Sequence, residues 1–540
     1  MKKIILSASF IFGCYILFGQ STEQGNKELY YQKFQTAAKT FQTVLQQKAD
    51  DSKALYGLVY AYLHNDELDK AKQSIRQAPS SILNDPFYKA ALGYVLLAEG
   101  KKDSASLYFS QAVRETKEKD PELLAAVAQA EIEAKEGNAS SAIELLDKAI
   151  KRDKRNAMLY IWKGNAYRKL NNGTEAFKAY QEALSKDDKM AVASYQLGNI
   201  FVTQKNQDIY LQHFQKAITD DKNFAPAYYS LYIHYFYPDP SKAMTHFRQY
   251  VALADKNSEN DYAYTDLLYL NKQYKEAIEE ADKIKLREGT NLQPRIYKLL
   301  AYSTAGLGDT AKAIGFMQEY FVKEADSNFV VKDFESMGNF FSAEKNNDSA
   351  LVYLAKAVEI EKDSAALYPY YKTLAAIAHD LKNYSAEAKW LGKYFNGNSK
   401  ASNVDQFNWA IAHYRAEEYT QADSVFGAYV AEHPEQGFGY YWQARSKGML
   451  DKEMAEGLAV PYYQKLTEVM QSDTANANYK KWMAEAYGYM AAYNANTKKD
   501  YALAISYFQK VLGVDPENAD AKKYIALLEQ RGAKDEAKNN

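Results

Sequence analysis

The stretch that decides the fold is residues 157–183, which read AMLYIWKGNAYRKLNNGTEAFKAYQEA. Small and bulky residues alternate in it at fixed places. With Ala157 as position 1, positions 4, 8, 11, 20, 24 and 27 hold Tyr160, Gly164, Tyr167, Ala176, Tyr180 and Ala183. A second frame opens 34 residues later at Ala191, with Leu197, Gly198, Phe201, Phe214 and Ala217 in the matching places. A period of this length predicts an array of stacked helical hairpins.

The same frame can be laid along most of the chain. Thirteen frames begin at Ser52, Pro86, Leu123, Ala157, Ala191, Ala225, Ser258, Pro294, Val331, Tyr368, Asn403, Gly437 and Tyr479. The frame at Ala191 departs at position 20, where Tyr210 replaces the usual alanine, so a splayed hairpin is expected there. We expect the small residues at positions 8 and 20 to be where the two helices of a hairpin cross closely.

This pattern resembles the tetratricopeptide repeat (TPR) family. The resemblance implies an all-α solenoid, wound as a right-handed superhelix of about 13 hairpins. Its expected parts are an N-terminal half repeat over 20–51, repeat blocks over 52–257 and 258–518, a capping helix over 519–531 and a disordered tail over 532–540. The half repeat is expected because the polar run after Ser21 leaves little room for a first helix, while Phe34 to Val44 matches a second one.

The first 19 residues have the pattern of a secretory signal peptide, with Lys2 and Lys3 followed by an apolar stretch over 4–18. That stretch is shorter than the ~20 residues that a membrane span requires. Cys14 is the only cysteine, and residues 11–14 loosely resemble a bacterial lipoprotein box. The bulky Phe12 and the apolar residues after Cys14 argue against lipidation. We therefore expect export to the periplasm, with association at the outer membrane as a further expectation.

Charge and motifs exclude several classes of function. The 67 basic and 69 acidic residues give a net charge of -2, without a Lys/Arg-rich run of the kind that nucleic-acid binding needs. The seven histidines are scattered, and phosphate-binding or nucleophile motifs are absent from the sequence. The glycine-rich residues 306–309 fall where a turn between two helices is expected. The sequence therefore predicts a protein that is not an enzyme, without a metal site or a cofactor.

The TPR resemblance also implies where a partner binds. In that family the concave surface is formed mainly by positions 2, 5, 9, 12 and 13 of the first helix in each hairpin. Carried over to this chain, the candidate partner-binding residues are Asn165, Tyr195, Asn199, Tyr229, Ile233, Phe236, Tyr237, Tyr262, Tyr269 and Tyr302. The alternative is that several of these tyrosines pack between neighbouring hairpins instead of lining a groove.

Asn165, at position 9, also bears on a carboxylate clamp. TPR domains that hold the C-terminal carboxylate of a chaperone use an asparagine at this place, with cations nearby. Arg168 and Lys169 lie close to Asn165 in sequence, but the next frame offers Tyr195 and Gln196 in place of a matching cation. The clamp is therefore incomplete.

The function expected from these observations is a protein-interaction scaffold of the bacterial cell envelope. It would bind a protein or peptide along the concave surface. The sequence resembles exported TPR proteins of the Bacteroidetes group. The alternative is a carbohydrate-associated accessory module whose aromatic side chains stack on glycans.

Overall fold

The computed structural model describes residues 21–539, and side chains as far as residue 532. Over that range the chain forms α-helices with a few short 3-10 or π turns, and no strand. It divides into two compact units, the first ending at Leu292 and the second beginning at Gln293. The expected all-α repeat array is confirmed.

The first unit holds sixteen helices among its described residues. They are α1 (Thr22–Tyr30), α2 (Phe34–Gln47), α3 (Ser52–His64), α4 (Leu68–Arg76), α5 (Pro86–Ala98), α6 (Lys102–Glu115), α7 (Pro121–Glu133), α8 (Ala139–Arg152), α9 (Ala157–Lys169), α10 (Gly173–Lys186), α11 (Ala191–Thr203), α12 (Gln207–Asp220), α13 (Ala225–Tyr235), α14 (Pro240–Leu253), α15 (Glu259–Leu270) and α16 (Tyr274–Glu288).

The second unit holds thirteen helices over the part that the structure describes. They are α17 (Arg295–Gly306), α18 (Thr310–Lys323), α19 (Val331–Ala343), α20 (Asn347–Ile360), α21 (Ser364–Asp380), α22 (Tyr384–Gly397), α23 (Asn403–Arg415), α24 (Tyr419–Glu432), α25 (Gly437–Leu450), α26 (Val460–Met470), α27 (Tyr479–Tyr493), α28 (Tyr501–Val514) and α29 (Ala519–Asn539). Odd-numbered helices and the even-numbered helices after them form hairpins, and α29 follows the last hairpin.

The repeat frame is visible in the backbone of the turns as well as in the side chains. Position 15, between the two helices of a hairpin, is left-handed in nine frames, with φ between 56° and 90°. These residues are Asp66, Gly100, Asn171, Lys205, Lys272, Gly308, Lys345, Lys382 and Glu417. Most of them are not glycine, although the left-handed region is costly for other residues. The same short turn therefore recurs because the two helices must reverse direction within about three residues.

The small residues of the frame stand where the helices of a hairpin meet, as the sequence predicts. A Cβ atom added to Gly164 on α9 would lie 2.3 Å from the ring of Tyr180 on α10. Tyr180 and Ala176 are both fully buried. Position 8 thus stays small because the aromatic residue at position 24 lies flat against it.

Three local expectations differ from the structure. The segment 20–51 holds a short but complete hairpin, because α1 precedes α2, and Gln32 between them has the left-handed conformation of the other turns. The α11–α12 hairpin is not splayed, since Tyr210 turns toward α13, where its hydroxyl lies 2.8 Å from His234 Nδ1. Helix α29 continues to Asn539 through the expected tail, whose Ala, Lys and Glu residues favour helix.

The first hairpin closes the first unit on itself. The Tyr31 hydroxyl donates to Asp221 Oδ2 over 2.9 Å, and the Gln35 N–H donates to Asp255 Oδ2 over 2.7 Å. Tyr30 packs on Phe224, with 5.6 Å between ring centroids. Asp221 precedes α13 and Asp255 follows α14, so the seven hairpins α1–α14 form a closed ring.

No helix within residues 21–539 has both the length and the apolar character needed to cross a bilayer. The expected signal peptide and Cys14 lie outside the described residues.

Candidate functional site: a cavity inside the first unit

A cavity of about 960 Å³ lies inside the ring formed by α1–α14. We call it the central cavity. In four hairpins, the first helix turns one stripe of side chains toward this cavity. The stripes are Thr22, Asn26, Leu29 and Tyr30 on α1, Lys53, Tyr56, Tyr60 and His64 on α3, Glu122, Ala125, Gln129, Ile132 and Glu133 on α7, and Met158, Ile161, Asn165, Arg168 and Lys169 on α9. Helices α5 and α11 add Phe87, Val192 and Gln196.

The stripes on α3 and α9 correspond to positions 2, 5, 9 and 13 of the frames at Ser52 and Ala157. The α7 stripe fits the same positions only if its frame begins at Pro121, two residues before Leu123. The turn after α7 holds five residues, 134–138, whereas the turn after α9 holds three, 170–172. This longer turn moves Glu133 from position 11 to position 13, so a frame that begins at Leu123 does not place it on the concave surface. Asp120, which caps the start of α7 before Pro121, is the signal that could have placed the frame correctly.

Aromatic rings form one wall of the central cavity. His64 stacks on Tyr60 with 4.1 Å between ring centroids and on Phe34 with 4.9 Å. The Tyr56 hydroxyl donates to the carbonyl oxygen of Ala126 on α7 over 2.6 Å, which ties α3 to α7. Burial lowers the pKa of His64 to about 4, so the imidazole is neutral at pH 7.

Most of the charged groups that line the cavity already have partners. Lys53 forms an ion pair with Glu122. The Lys169 ammonium donates to the carbonyl oxygens of Glu131 and Ile132 over 2.8 and 3.0 Å, and to that of Ala134. It therefore caps the C-terminal end of α7, where cations are stabilising. Arg168 donates to Gln196 Oε1 over 2.8 Å.

Glu133 is the exception among the charged groups that α7 and α9 turn toward the cavity. Within the described chain, no hydrogen bond or ion pair engages its carboxylate. The side chain is open to the cavity, yet protein surrounds it so closely that desolvation raises the pKa of its carboxyl, an effect that Lys169 partly offsets. Burial, and then the charge of Glu133, raise the pKa values of the Tyr60 and Tyr94 hydroxyls. Glu133 thus lies within electrostatic range of an aromatic cluster.

Of the expected partner-binding residues, Asn165 lines the central cavity. Its Oδ1 accepts a hydrogen bond of 2.7 Å from the Tyr180 hydroxyl. Because Lys169 is engaged by three carbonyl oxygens, it does not offer its ammonium beside Asn165 as a carboxylate clamp would need. Asn199 donates to Gln196 Oε1 over 3.3 Å. Tyr195 packs between Phe214 and Phe224, at 5.7 and 5.5 Å between centroids, so it mainly joins hairpins.

Helix α13 carries a second surface, which does not line the central cavity. Tyr229 and Ile233, on one face of α13, are 44% and 49% exposed, and Tyr237, in the turn that follows the helix, is 78% exposed. Phe236 is half-buried between Tyr232 and Tyr237. We call Tyr229, Ile233, Phe236 and Tyr237 the α13 patch.

The remaining three expected residues do not join either surface. Tyr262 is only 2% exposed, and its hydroxyl donates to Glu288 at the end of α16, so its ring is inside the unit. Tyr269 is half-buried against Tyr274. Tyr302 belongs to the second unit, where it packs on Phe340 and accepts a hydrogen bond from Ser336.

The site chemistry is that of a binding surface lined by rings, amides and charged groups, with Glu133 as the carboxylate of α7 that no ion pair engages. In the described part of the chain, no group of three or more His, Cys, Asp or Glu side chains is placed to hold a metal ion.

Family models for the tetratricopeptide repeat match residues 29–93, 90–157, 127–191 and 487–518. The chain is a tetratricopeptide repeat protein. TPR proteins are generally non-catalytic scaffolds for protein–protein interaction, and the first two models cover α3, α5, α7 and α9 of the cavity wall. A search of the curated proteins found no match to this TPR chain.

Several solved structures are similar to this TPR protein. The C-terminal part of a TPR repeat-containing protein from Cytophaga hutchinsonii is 26% identical, with 48% of this chain and 98% of that chain covered and a TM-score of 0.30. A tetratricopeptide repeat protein from Parabacteroides merdae is 16% identical, with 47% and 98% covered and a TM-score of 0.31. The Cut9–Hcn1 hetero-tetramer of the APC/C is 12% identical, with 93% and 95% covered and a TM-score of 0.23.

Proposed function

We propose that this TPR protein is a non-catalytic scaffold that binds an extended segment of a partner protein in the central cavity. The observation that carries the proposal is the alignment of one face each of α1, α3, α7 and α9 along a single cavity. Gln129 and Asn165 place amide groups on that wall, which can pair with the backbone of an extended peptide. Tyr60, Trp162 and Phe87 offer apolar area for its side chains.

Site-specific photo-crosslinking tests this proposal in the full-length protein. A photo-reactive side chain at Gln129 lies in the cavity, and one at Gln181, exposed on α10, is the matched control. We expect a defined protein to be crosslinked in cells from position 129 and not from position 181. Equal crosslinking at both positions, or none at either, would contradict the proposal. Binding to glycans without a crosslinked protein would replace it with a carbohydrate-associated role.

The α13 patch is the competing surface for the same partner. Tyr229→Ala combined with Tyr237→Ala removes two exposed rings without opening the core. If the partner occupies the cavity, this double variant keeps the crosslink at position 129. Loss of that crosslink would move the binding surface to α13.

We further propose that the scaffold acts in the bacterial cell envelope, with the periplasm or the outer membrane as its location. Support comes from the two lysines and the apolar stretch that open the sequence. Cell fractionation with intact-mass measurement tests this. A mature chain beginning near Gln20 in the envelope fraction is expected, and an unprocessed chain in the cytoplasm would contradict it.

A further inference from the structure

The α7 wall of the central cavity contains one carboxylate that no ion pair or hydrogen bond of the described chain engages. Glu133 lies at the C-terminal end of α7, where the carbonyl ends of the helix already make the local potential negative. The nearby cation, Lys169, is bonded to three of those carbonyl oxygens. The helix end is therefore capped, and the carboxylate of Glu133 is left facing the cavity.

Tyrosine side chains share the cavity wall with this carboxylate. Tyr60 and Tyr94 lie close enough for Glu133 to influence the pKa of their hydroxyls, and Tyr56 shares the wall. A carboxylate that no cation of the protein engages favours a cationic ligand, since a charge-assisted hydrogen bond is stronger than one between neutral groups. The Tyr56 hydroxyl is already bonded to Ala126 of the backbone, so this wall is fixed before a ligand arrives.

We propose that Glu133 binds the side chain of an arginine in the extended segment that occupies the central cavity, an inference that rests on the proposed function. Arginine is favoured over lysine, because its planar guanidinium can donate two hydrogen bonds to the carboxylate at once. The amides of Gln129, one turn earlier on α7, and Asn165 on α9 line the same cavity and can pair with the peptide backbone.

The other cations of the cavity wall do not fill this role. Arg168 is exposed and hydrogen-bonded to Gln196, and no ion pair joins it to Glu133 within the described chain. Lys53 is paired with Glu122, which lies on the same face of α7 as Glu133 but at the opposite end of the helix. An arriving guanidinium would therefore meet Glu133 as the cavity-lining carboxylate of α7 that has no cation.

Calorimetric titration of the full-length protein with two blocked pentapeptides tests the inference. One peptide is Ala-Leu-Arg-Leu-Ala, and its twin carries citrulline, which has the shape of arginine without the charge. We expect the arginine peptide to bind at least about tenfold more tightly, as a charge-assisted hydrogen bond provides. Glu133→Gln should abolish the difference. Glu144→Gln, on the exposed face of α8, is the matched control and should preserve it.

Gln129→Glu supplies a test in the opposite direction, because it adds a second carboxylate on the same face of α7. It should increase the preference for arginine, and a reduced preference would overturn the inference. Equal binding of the two peptides to the unaltered protein would overturn it too, while leaving peptide binding in the cavity intact. Absence of saturable binding by either peptide also rejects the arginine site. The crosslink at position 129 then decides separately whether the cavity holds a partner.

Discussion

The hydroxyl of Tyr31 donates to Asp221, a residue 190 positions later in the chain, over 2.9 Å. Together with the bonds that the start of α2 makes to Asp255, this contact joins the first hairpin to the ends of the sixth and seventh. It turns an array of hairpins into a ring with an interior. The central cavity depends on it, since α1 supplies one wall.

Removing these contacts should loosen the first hairpin. In the double variant Tyr31→Phe and Thr36→Val, the side-chain bonds to Asp221 and Asp255 are lost. Each such bond contributes about 0.5–1.5 kcal/mol. We expect faster hydrogen exchange in α1 and α2, while exchange in α9 and α10 is unchanged. Tyr237→Phe, on a ring that is 78% exposed, is the control and should alter neither. Unchanged exchange in α1 would show that the ring is held by other contacts.

Glycine at position 8 should be required for close packing of a hairpin. In Gly164→Ala the new Cβ would lie 2.3 Å from the buried ring of Tyr180, so overpacking should lower the free energy of unfolding by about 1–3 kcal/mol. Gly315, in the middle of α18, has no atom within 4 Å of its added Cβ. Gly315→Ala should therefore stabilise the protein by about 0.5–1 kcal/mol through helix propensity. Thermal unfolding, monitored by circular dichroism, shows whether each variant is more or less stable than the unaltered protein. A stabilising effect of Gly164→Ala would contradict the packing argument.

A buried ion pair should stabilise the second unit. Asp333 is fully buried, 2.9 Å from the Lys298 ammonium and 3.1 Å from the Tyr320 hydroxyl. Lys298→Met leaves the carboxylate buried without its cation, which should cost about 3–5 kcal/mol. Lys332→Met, which breaks an exposed pair with Glu335, should cost less than about 1 kcal/mol. Urea denaturation of both variants measures the difference, and equal effects would refute it.

Acidification should destabilise the first unit through His64. Burial lowers the folded-state pKa of His64 to about 4, whereas the pKa of an unfolded histidine is about 6.5. The unfolded state therefore binds the proton more tightly, and stability is lost as the pH falls from about 6.5 toward 4. The full loss amounts to about 3 kcal/mol.

The variant His64→Phe isolates this contribution. Phenylalanine can keep the stacking on Phe34 and Tyr60 but cannot titrate. The urea midpoint of the unaltered protein should fall between pH 7.5 and pH 5 by more than that of the variant. If both midpoints fell equally, the acid sensitivity would lie elsewhere.

Much of the fold follows from the sequence, because its determinants are local. Contact between positions 8 and 24, as in Gly164 and Tyr180, recurs in several hairpins, for example between Gly93 and Phe109 and between Gly198 and Phe214, and leaves a periodic signal. The thirteen hairpins from Ser52 onward are confirmed. The first hairpin was underestimated, since α1 is polar and only nine residues long, and its burial depends on partners near Asp221 and Asp255.

The candidate site was only partly predictable. Frame positions placed Asn165 on the cavity wall correctly, but the five-residue turn after α7 displaced the frame and hid Glu133. Position in a frame gives the direction of a side chain and not what covers it. Tyr262 occupies a concave position, yet Glu288 binds its hydroxyl and the ring is buried. Ring closure joins residues about two hundred positions apart and has no signature in a 34-residue period.

The closed ring also fixes the number of hairpins in the first fourteen helices. A hairpin inserted or deleted between α2 and α14 would carry Asp221 and Asp255 away from Tyr31 and Thr36, and the circle could not shut. Duplication of repeats, the ordinary way in which such arrays change length, is therefore compatible with this architecture only beyond Asp255. The seven hairpins therefore set the diameter of the interior, and this diameter limits the width of any segment that passes through it.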